Sequence, residues 1–286
     1  MEEALREYMK GFFLEYKAEV GKRGGVMRPT LLEMESYHLF ISLGTAFGSG
    51  AFIFVMNKKL KHRQAKYIKE ILVQLVLCLA LFGIGAVAGE MVRTWSFWEF
   101  HSFSELIEMM MTDRQGTHFI GRVLFAAWML PLVYWLAGRF RKETYQTDTG
   151  VAYDAVAFYF VIQHMFSRIG CYLNGCCYGK YYAGVGSVIF PTMPVDYPVF
   201  PAQLMEVAIT AGIFIFLVVR WKKEKPLFGW ALVLFGTMIF LSEFFMDQKG
   251  VLRIAGINMI QVTALLTILT GVFYIDKLQG RREKVQ

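Results

Sequence analysis

Ionisable side chains inside long apolar stretches are the residues of this sequence that are best placed to do chemistry. Arg168, His118 and Arg122 each lie in such a stretch. A charged side chain within a membrane span is costly, so each one marks a candidate functional site. An arginine can stabilise a phosphate, and a histidine can act as a general base near neutral pH. Arg168 in particular needs an anionic partner, and the candidates are Glu206, Glu243 and a lipid phosphate.

Three of the four cysteines, Cys171, Cys176 and Cys177, lie within seven positions, and Cys78 stands alone in another apolar stretch. Four cysteines are too few for a domain built on disulfides. Three interpretations stay open: a disulfide from Cys171 to Cys176 or Cys177, small side chains that only pack, or a reactive thiolate that carries an acyl or alkyl group as a covalent intermediate. We see too few ligands for a metal site, and we expect no cofactor.

The amino-acid composition indicates the class of protein in which these residues lie. The 286 residues are 56% hydrophobic and 19% charged, against about 45–50% and about 25% in soluble domains. The net charge of +7 sits in short clusters between apolar runs, which is typical of membrane proteins and argues against nucleic-acid binding. A bilayer core of about 30 Å needs about 20 apolar residues per helix. Seven stretches are long enough: 37–56, 68–88, 117–137, 151–175, 201–220, 227–246 and 256–275.

The loop charges predict the orientation of these seven helices. The loops after the first, third and fifth stretches and the C-terminal tail together hold 16 Lys and Arg residues, whereas the alternate loops hold five. Positive loops stay on the cytoplasmic side. We therefore expect an all-α polytopic membrane protein with seven transmembrane helices, its N-terminus outside and its C-terminus in the cytoplasm. GxxxxGK[ST], HExxH and GxSxG motifs are absent from the sequence, so nucleotide-driven transport, zinc proteolysis and serine hydrolysis have no support.

In this topology the polar residues converge in the outer half of the membrane. Arg168 would lie roughly 10 Å below the outer surface at about 1.5 Å per residue. The inner half is nearly bare apart from Asp154. The asymmetry indicates a site that faces the outer leaflet, although each group could instead pair with a neighbouring helix. The polar residues near the outer helix ends are His118, Arg122, Arg168, Gln203, Glu206, Glu243, Asn258 and Gln261.

The sequence divides into three parts. Residues 1–36 carry an amphipathic pattern, which predicts a helix that lies at the membrane interface or packs on the protein surface. Residues 37–276 form the transmembrane domain, and residues 277–286 form a basic cytoplasmic tail.

Four motifs resemble those of the prolipoprotein diacylglyceryl transferases. RIGCYLNGCCYGK at 168–180 resembles the signature G-R-x-G-N-F-x-N-x-E-x-x-G, and GTHFIG resembles the family's His-Gly-Gly. PAQLMEV at 201–207 and FGTMIFLSEFFMD at 235–247 resemble H-P-S-Q-L-Y-E and Y-G-x-x-R-x-x-x-E-F-F-R. The resemblance implies a bacterial enzyme of the cytoplasmic (inner) membrane. It would move a diacylglyceryl group from phosphatidylglycerol to the thiol of a lipobox cysteine in a prolipoprotein.

The resemblance also implies roles for individual residues. Arg168 would stabilise the departing phosphate and His118 would help to form the thiolate, which makes these two the catalytic candidates. Arg122, one turn after His118, could replace a second arginine that the family has and this chain lacks. The candidate substrate-binding residues are Tyr37, Arg122, Asn174, Gly179, Gln203, Glu206 and Glu243.

Several positions depart from the family pattern, and they keep other functions open. Ile239 stands at the second family arginine, Cys171 and Cys176 replace Asn and Glu of the signature, and Phe200 and Phe235 replace His and Tyr. One alternative is a paralogous lipid transferase whose acceptor is a polyol, a glycan or a small thiol. Others are a non-catalytic lipid-binding or transport protein with the same groove, and a structural partner in a membrane complex.

Overall fold

The computed structural model describes residues 30–31, 34–59, 67–94, 122–129, 149–190, 197–222, 226–247, 253–254 and 256–282. Its helices are α1 (Ser36–Lys59), α2 (Tyr67–Thr94), α3 (122–129), α4 (Thr149–Asn174), α5 (Ala202–Lys222), α6 (Phe228–Ser242) and α7 (Met259–Arg282). Two short antiparallel strand pairs join β1 (Thr30–Leu31) to β2 (Met34–Glu35) and β3 (Arg253–Ile254) to β4 (Ile257–Asn258). This mostly helical structure fits the predicted seven helices. Most of the predicted interfacial segment, residues 1–36, lies outside the described residues.

Three of the described helices are long and apolar enough to cross a membrane. These candidate spans are Ser36–Lys58 in α1, Ala202–Lys222, which is the whole of α5, and Met259–Asp276 in α7. α2 and α6 contain shorter apolar runs at Ile71–Gly85 and Phe228–Ser242. The large exposed side chains on these helices are mostly apolar, Ile215 and Leu269 among them, as a surface that faces lipid requires.

α4 is the central helix of the bundle. Every residue from 150 to 164 is buried, which fits a helix whose sequence is apolar on most of its circumference. α1, α5 and α6 pack around it. α1 approaches most closely at two glycines, because a Cβ on Gly44 would lie 2.8 Å from Cβ of Phe166 and a Cβ on Gly48 would lie 2.9 Å from Cδ2 of Tyr159. Small residues at this spacing are the usual device for close helix packing in membranes.

One end of the bundle is closed by the chain that follows α4. We call it the cysteine end, because Cys171, Cys176 and Cys177 lie there. The N–H of Gly179 donates to the carbonyl of Phe200 at 2.8 Å, and the N–H of Lys180 donates to that of Phe245 at 2.8 Å. The link after α4, the start of α5 and the end of α6 are thereby held together.

The opposite end of the bundle contains a buried carboxylate that ties two helices together. Asp154 in the first turns of α4 is 1% exposed. Its Oδ1 accepts hydrogen bonds from the N–H of Leu227 at 2.9 Å and of Phe228 at 3.3 Å. The first N–H groups of a helix have no partner within it, so Asp154 satisfies donors at the start of α6 and fixes α6 to α4.

Candidate functional site

Arg168, Glu206 and His164 form a buried ionic network near the cysteine end. Nε of Arg168 lies 2.6 Å from Oε2 of Glu206, and Nε2 of His164 lies 3.1 Å from the same oxygen. Glu206 and His164 are each about 1% exposed, whereas Arg168 is 16% exposed. The sequence left three candidate partners for Arg168, and the structure gives it Glu206. Because this contact uses Nε, the Nη groups of the arginine keep donors for further partners.

The elements explain why these three side chains meet. His164 and Arg168 are four residues apart on α4 and so share one face of that helix. Glu206 lies in the first turns of α5, which packs against α4. Phe235 of α6 covers the imidazole edge-on, with ring centroids 4.8 Å apart. The network is therefore sealed by apolar packing on the side of α6, and Arg168 is its most exposed member.

A second carboxylate of the cysteine end is bound by the start of α7. Oε2 of Glu243 accepts a hydrogen bond from Nδ2 of Asn258 at 2.8 Å. Asn258 and Gln261 also cap α7 reciprocally: the N–H of Gln261 donates to Oδ1 of Asn258 at 2.8 Å, and the N–H of Asn258 donates to Oε1 of Gln261 at 3.1 Å. This is the capping-box arrangement with Asn in place of Ser or Thr. Glu243 also interacts electrostatically with Arg168.

Tyr37 and Arg122 belong to the surroundings of the cysteines. Tyr37 at the start of α1 interacts electrostatically with Cys171, with Cys177 and with Arg122. Arg122 begins the described part of α3 and is half-buried. Tyr37 is thus a neighbour both of Arg122 and of the cysteines.

The three cysteines meet because the chain turns sharply after α4. Gly175 has φ 70°, and Cys177 has φ 58°, a left-handed conformation that costs an L-residue with a side chain about 1–2 kcal/mol. The N–H of Cys176 donates to the carbonyl of Cys171 at 3.1 Å. The three Sγ atoms lie within 4.8 Å of one another, and all are free thiols. Sγ of Cys176 donates to the carbonyl of Cys171 at 3.7 Å, and the neighbouring thiols of Cys171 and Cys176, together with Arg168, hold the pKa of Cys177 well below its usual range.

The other predicted substrate-binding residues support this turn. Nε2 of Gln203 donates to the carbonyl of Cys176 at 2.7 Å, and the side chain of Asn174 lies beside the thiol of Cys176. Gly179 has no room for a side chain, because a Cβ there would lie 2.7 Å from the carbonyl oxygen of Phe200. Gln203, Asn174 and Gly179 therefore act on the backbone and thiols of the cysteine turn.

The predicted residues that the structure places around the cysteine turn are Tyr37, Arg122, Arg168, Glu206, Glu243 and the three cysteines. His118 lies outside the described residues. Ile239, at the position of the second family arginine, is 4% exposed and packs in the apolar core. For His164 the sequence favours a satisfied polar contact over a functional role, and its hydrogen bond with Oε2 of Glu206 at 3.1 Å is such a contact.

The arrangement is suited to binding an anion. Arg168 is oriented by Glu206, remains partly exposed and stands where α4, α5 and the cysteine turn meet. Guanidinium groups held in this way bind phosphate through charge-assisted hydrogen bonds, which are stronger where water is excluded.

Comparison with known proteins gives a consistent result. A family model described as prolipoprotein diacylglyceryl transferase matches residues 27–276. The phosphatidylglycerol--prolipoprotein diacylglyceryl transferase of Ectopseudomonas mendocina is 25% identical over 237 residues, which cover 79% of this chain and 84% of that protein. The protein of the same name from Dehalococcoides mccartyi is 25% identical over 220 residues, which cover 73% and 79%.

A shorter alignment is found with a relative from Clostridium perfringens. Its phosphatidylglycerol--prolipoprotein diacylglyceryl transferase 2 is 28% identical over 128 residues, which cover 41% of this chain and 49% of that protein. The chain therefore spans about half the length of this relative and most of the length of the two others.

Proposed function

Because the chain belongs to the prolipoprotein diacylglyceryl transferase family, we propose that it moves a diacylglyceryl group from phosphatidylglycerol to the thiol of a lipobox cysteine in prolipoproteins. The observation that carries this proposal is Arg168, a partly exposed cation held by the buried carboxylate of Glu206. Transfer of the group breaks a C–O bond next to the phosphate of the donor lipid. The charge that develops on the departing glycerol phosphate needs preorganised donors, and Arg168 supplies them.

The position of the site supports a lipid donor. In the proposed orientation the cysteine end faces outward in the bacterial cytoplasmic membrane, so Arg168 reaches the headgroup level of the outer leaflet. The diacylglycerol tails would then lie along the apolar helix surfaces. His118 is proposed as the base that helps to form the acceptor thiolate.

Arg122 is proposed as the second cation of the site. The family's second arginine is replaced by Ile239, which packs in the apolar core, so α6 offers no cation at that position. Arg122 on α3 interacts electrostatically with Tyr37, and Tyr37 also neighbours Cys177. Arginines from two different helices would thereby bind the phosphate beside the cysteine turn.

A paralogous transferase with a different acceptor is the second candidate function. The burial of Ile239 favours it, because a site with altered cation placement can hold a different headgroup or acceptor pose. This candidate keeps the phospholipid donor and Arg168 and differs in what receives the lipid.

Complementation tests the proposed reaction. The chain is expressed in a bacterium depleted of its own prolipoprotein diacylglyceryl transferase, and growth and the mobility shift of one lipoprotein are followed. We expect the wild-type chain to rescue growth, and Arg168→Ala to lower the transfer rate by about 10²–10³-fold, the typical loss for one donor to a developing charge. Lys222→Ala, which removes an exposed cation at the far end of α5, is the matched control and should rescue like the wild type.

The same assay decides the role of Arg122 and the choice of acceptor. Activity that survives in both Arg122→Lys and Arg122→Ala would rule out the second-cation role. A wild-type chain that is well expressed and inserted but does not rescue would overturn the lipobox acceptor. Mass spectrometry of the membrane lipids with and without the chain would then reveal a modified polyol, glycan or thiol, or, for a non-catalytic protein, no new product.

A further inference from the structure

The three thiols at the cysteine end form a compact group beside Arg168. Their Sγ atoms lie within 4.8 Å of one another, and none of them is in a disulfide. A tetrahedral zinc ion with Zn–S bonds of about 2.3 Å holds its sulfurs about 3.8 Å apart. The thiols therefore need to approach one another by only about 1 Å to share one ion, which small rotations about their side-chain bonds can supply.

The backbone under these thiols is fixed on two sides, as a ligand set on a short segment requires. The N–H of Cys176 donates to the carbonyl of Cys171 at 3.1 Å, which closes the turn on α4. The carbonyl of Cys176 accepts the hydrogen bond from Gln203 on α5 at 2.7 Å. Cys177 has a left-handed φ of 58°, and this conformation places its thiol beside the other two.

The surroundings match the charge of a metal–thiolate group. Three thiolates around one Zn²⁺ carry a net charge of −1, which needs a nearby cation in apolar surroundings. Arg168 stands beside Cys177 and interacts with it electrostatically, and Asn174 neighbours Cys176. Donors of this kind around the ligand atoms are a regular feature of metal sites, where they hold the ligands in place.

The type of ligand selects the ion. Thiolates favour soft or borderline ions such as zinc, whereas magnesium and calcium prefer oxygen. Zinc sites with three protein ligands keep a fourth position for water or a substrate. Cys171 is buried, and Cys176 and Cys177 are half-buried, so the group is closed towards the bundle and partly accessible from the turn.

We propose that Cys171, Cys176 and Cys177 bind one Zn²⁺ and leave its fourth coordination position open to an exchangeable thiol. The identity of that thiol as the prolipoprotein cysteine rests on the proposed function. On binding, the S–H bond of the acceptor breaks and its proton passes to the base of the proposed reaction. The bound thiolate then forms the S–C bond to the glycerol carbon, while the C–O bond breaks and its electron pair leaves with the glycerol phosphate.

Metal content and thiol protection test the site in the full-length protein. After purification in detergent without chelators, we expect about one zinc per chain, measured by elemental mass spectrometry. The single variants Cys171→Ser, Cys176→Ser and Cys177→Ser should each weaken zinc binding by more than 10-fold. Cys78→Ser, which alters a buried cysteine elsewhere in the bundle, is the matched control and should keep the zinc. In the wild type, zinc should slow the reaction of the three thiols with N-ethylmaleimide, and a chelator should restore it.

Cobalt substitution tests the open position. Co²⁺ in the wild-type protein should give thiolate charge-transfer bands and the visible absorption of a four-coordinate ion. A peptide with one lipobox-type cysteine should increase the charge-transfer intensity by about a third, as expected for a fourth thiolate joining three, and the same peptide with Ser in place of Cys should not change it.

Specific results would overturn the zinc site. One is a disulfide among the three cysteines, detected in protein that is alkylated directly in membranes. The other is zinc and cobalt binding that is no stronger than in a variant that lacks all three cysteines. The thiol ligand is overturned if both peptides leave the cobalt spectrum unchanged. None of these readouts involves lipid transfer: rescue of growth without metal binding removes the zinc site alone, whereas metal binding without rescue removes the proposed acceptor alone.

Discussion

The two ends of the bundle each bury a carboxylate, but they satisfy it with different kinds of partner. At the opposite end, Asp154 accepts hydrogen bonds from two backbone N–H groups at the start of α6. At the cysteine end, Glu206 is bound by two ionisable side chains, Arg168 and His164. Both carboxylates are about 1% exposed, so burial alone does not separate them.

The difference lies in what each partner can still do. A backbone N–H has one donor, and Asp154 uses it, so these hydrogen bonds join α4 to α6 and leave the two backbone groups no donor for a ligand. A guanidinium has five N–H donors, and Glu206 takes one position of Arg168 while orienting the rest. Buried polar groups must be paired in either case, but only a partner with donors to spare can also bind a ligand.

The largest effect in this comparison is expected from Glu206→Ala. It removes the carboxylate that Arg168 contacts directly, and loss of one member of a buried ion pair costs about 3–5 kcal/mol. This loss of stability is measured as the decrease in the free energy of unfolding in detergent micelles. Glu206→Gln keeps the shape and a hydrogen-bond acceptor and should cost less. Equal stability of Glu206→Ala and the wild type would mean that the pair does not stabilise the cysteine end.

A smaller loss is expected from Gly179→Ala, which tests how rigidly the cysteine end is closed. The added Cβ would lie 2.7 Å from the carbonyl oxygen of Phe200 and 2.8 Å from that of Phe245, and overpacking of this kind costs about 1–3 kcal/mol. Gly212→Ala is the matched control, because a Cβ there meets nothing within 4 Å. Since Ala favours helix over Gly, the control should gain up to about 1 kcal/mol. If the thermal midpoints of the two variants do not differ, the link after α4 can shift to accommodate the added methyl group, and the cysteine end is not rigidly closed.

The smallest effect is expected from Asp154→Ala. Removing a side chain that caps a helix N-terminus costs about 0.5–2 kcal/mol, and the thermal midpoint should fall accordingly. The transfer rate per folded molecule should stay within about twofold of the wild type, because the residue lies at the end away from Arg168. A loss of specific activity similar to that of Arg168→Ala would contradict the interpretation that Asp154 is structural whereas Glu206 supports the candidate site.

Much of the helical framework could be predicted from the sequence because it depends on apolar length. The stretches 37–56 and 201–220 correspond to α1 and α5, and the family resemblance is confirmed by the match over residues 27–276. The need of Arg168 for an anionic partner was also predictable, since a buried charge must be paired. The choice among the candidates required the packing of α4 on α5.

The cysteine turn shows what sequence reasoning could not reach. How close Cys171 comes to Cys176 and Cys177 depends on how α4 ends, and the left-handed φ of Cys177 is a conformation that sequence preference assigns to Gly or Asn. Without that turn the spacing suggested too few ligands for a metal. Long-range hydrogen bonds from Gln203 and Gly179 help to hold this turn in place.

The central position of α4 has a consequence for how the protein is made. The helix carries Asp154, Gln163, His164 and Arg168, and it is not among the three described helices that are apolar enough to span a bilayer alone. A nascent α4 released singly into lipid would expose these polar and charged groups, which is costly in a membrane span. Its integration during synthesis therefore depends on helices already in the membrane. α1 precedes α4 in the chain and packs against it through Gly44 and Gly48, so it is the helix best placed to bind α4 during insertion. A larger residue at Gly44 should therefore lower the amount of inserted protein before it lowers the activity of each inserted molecule.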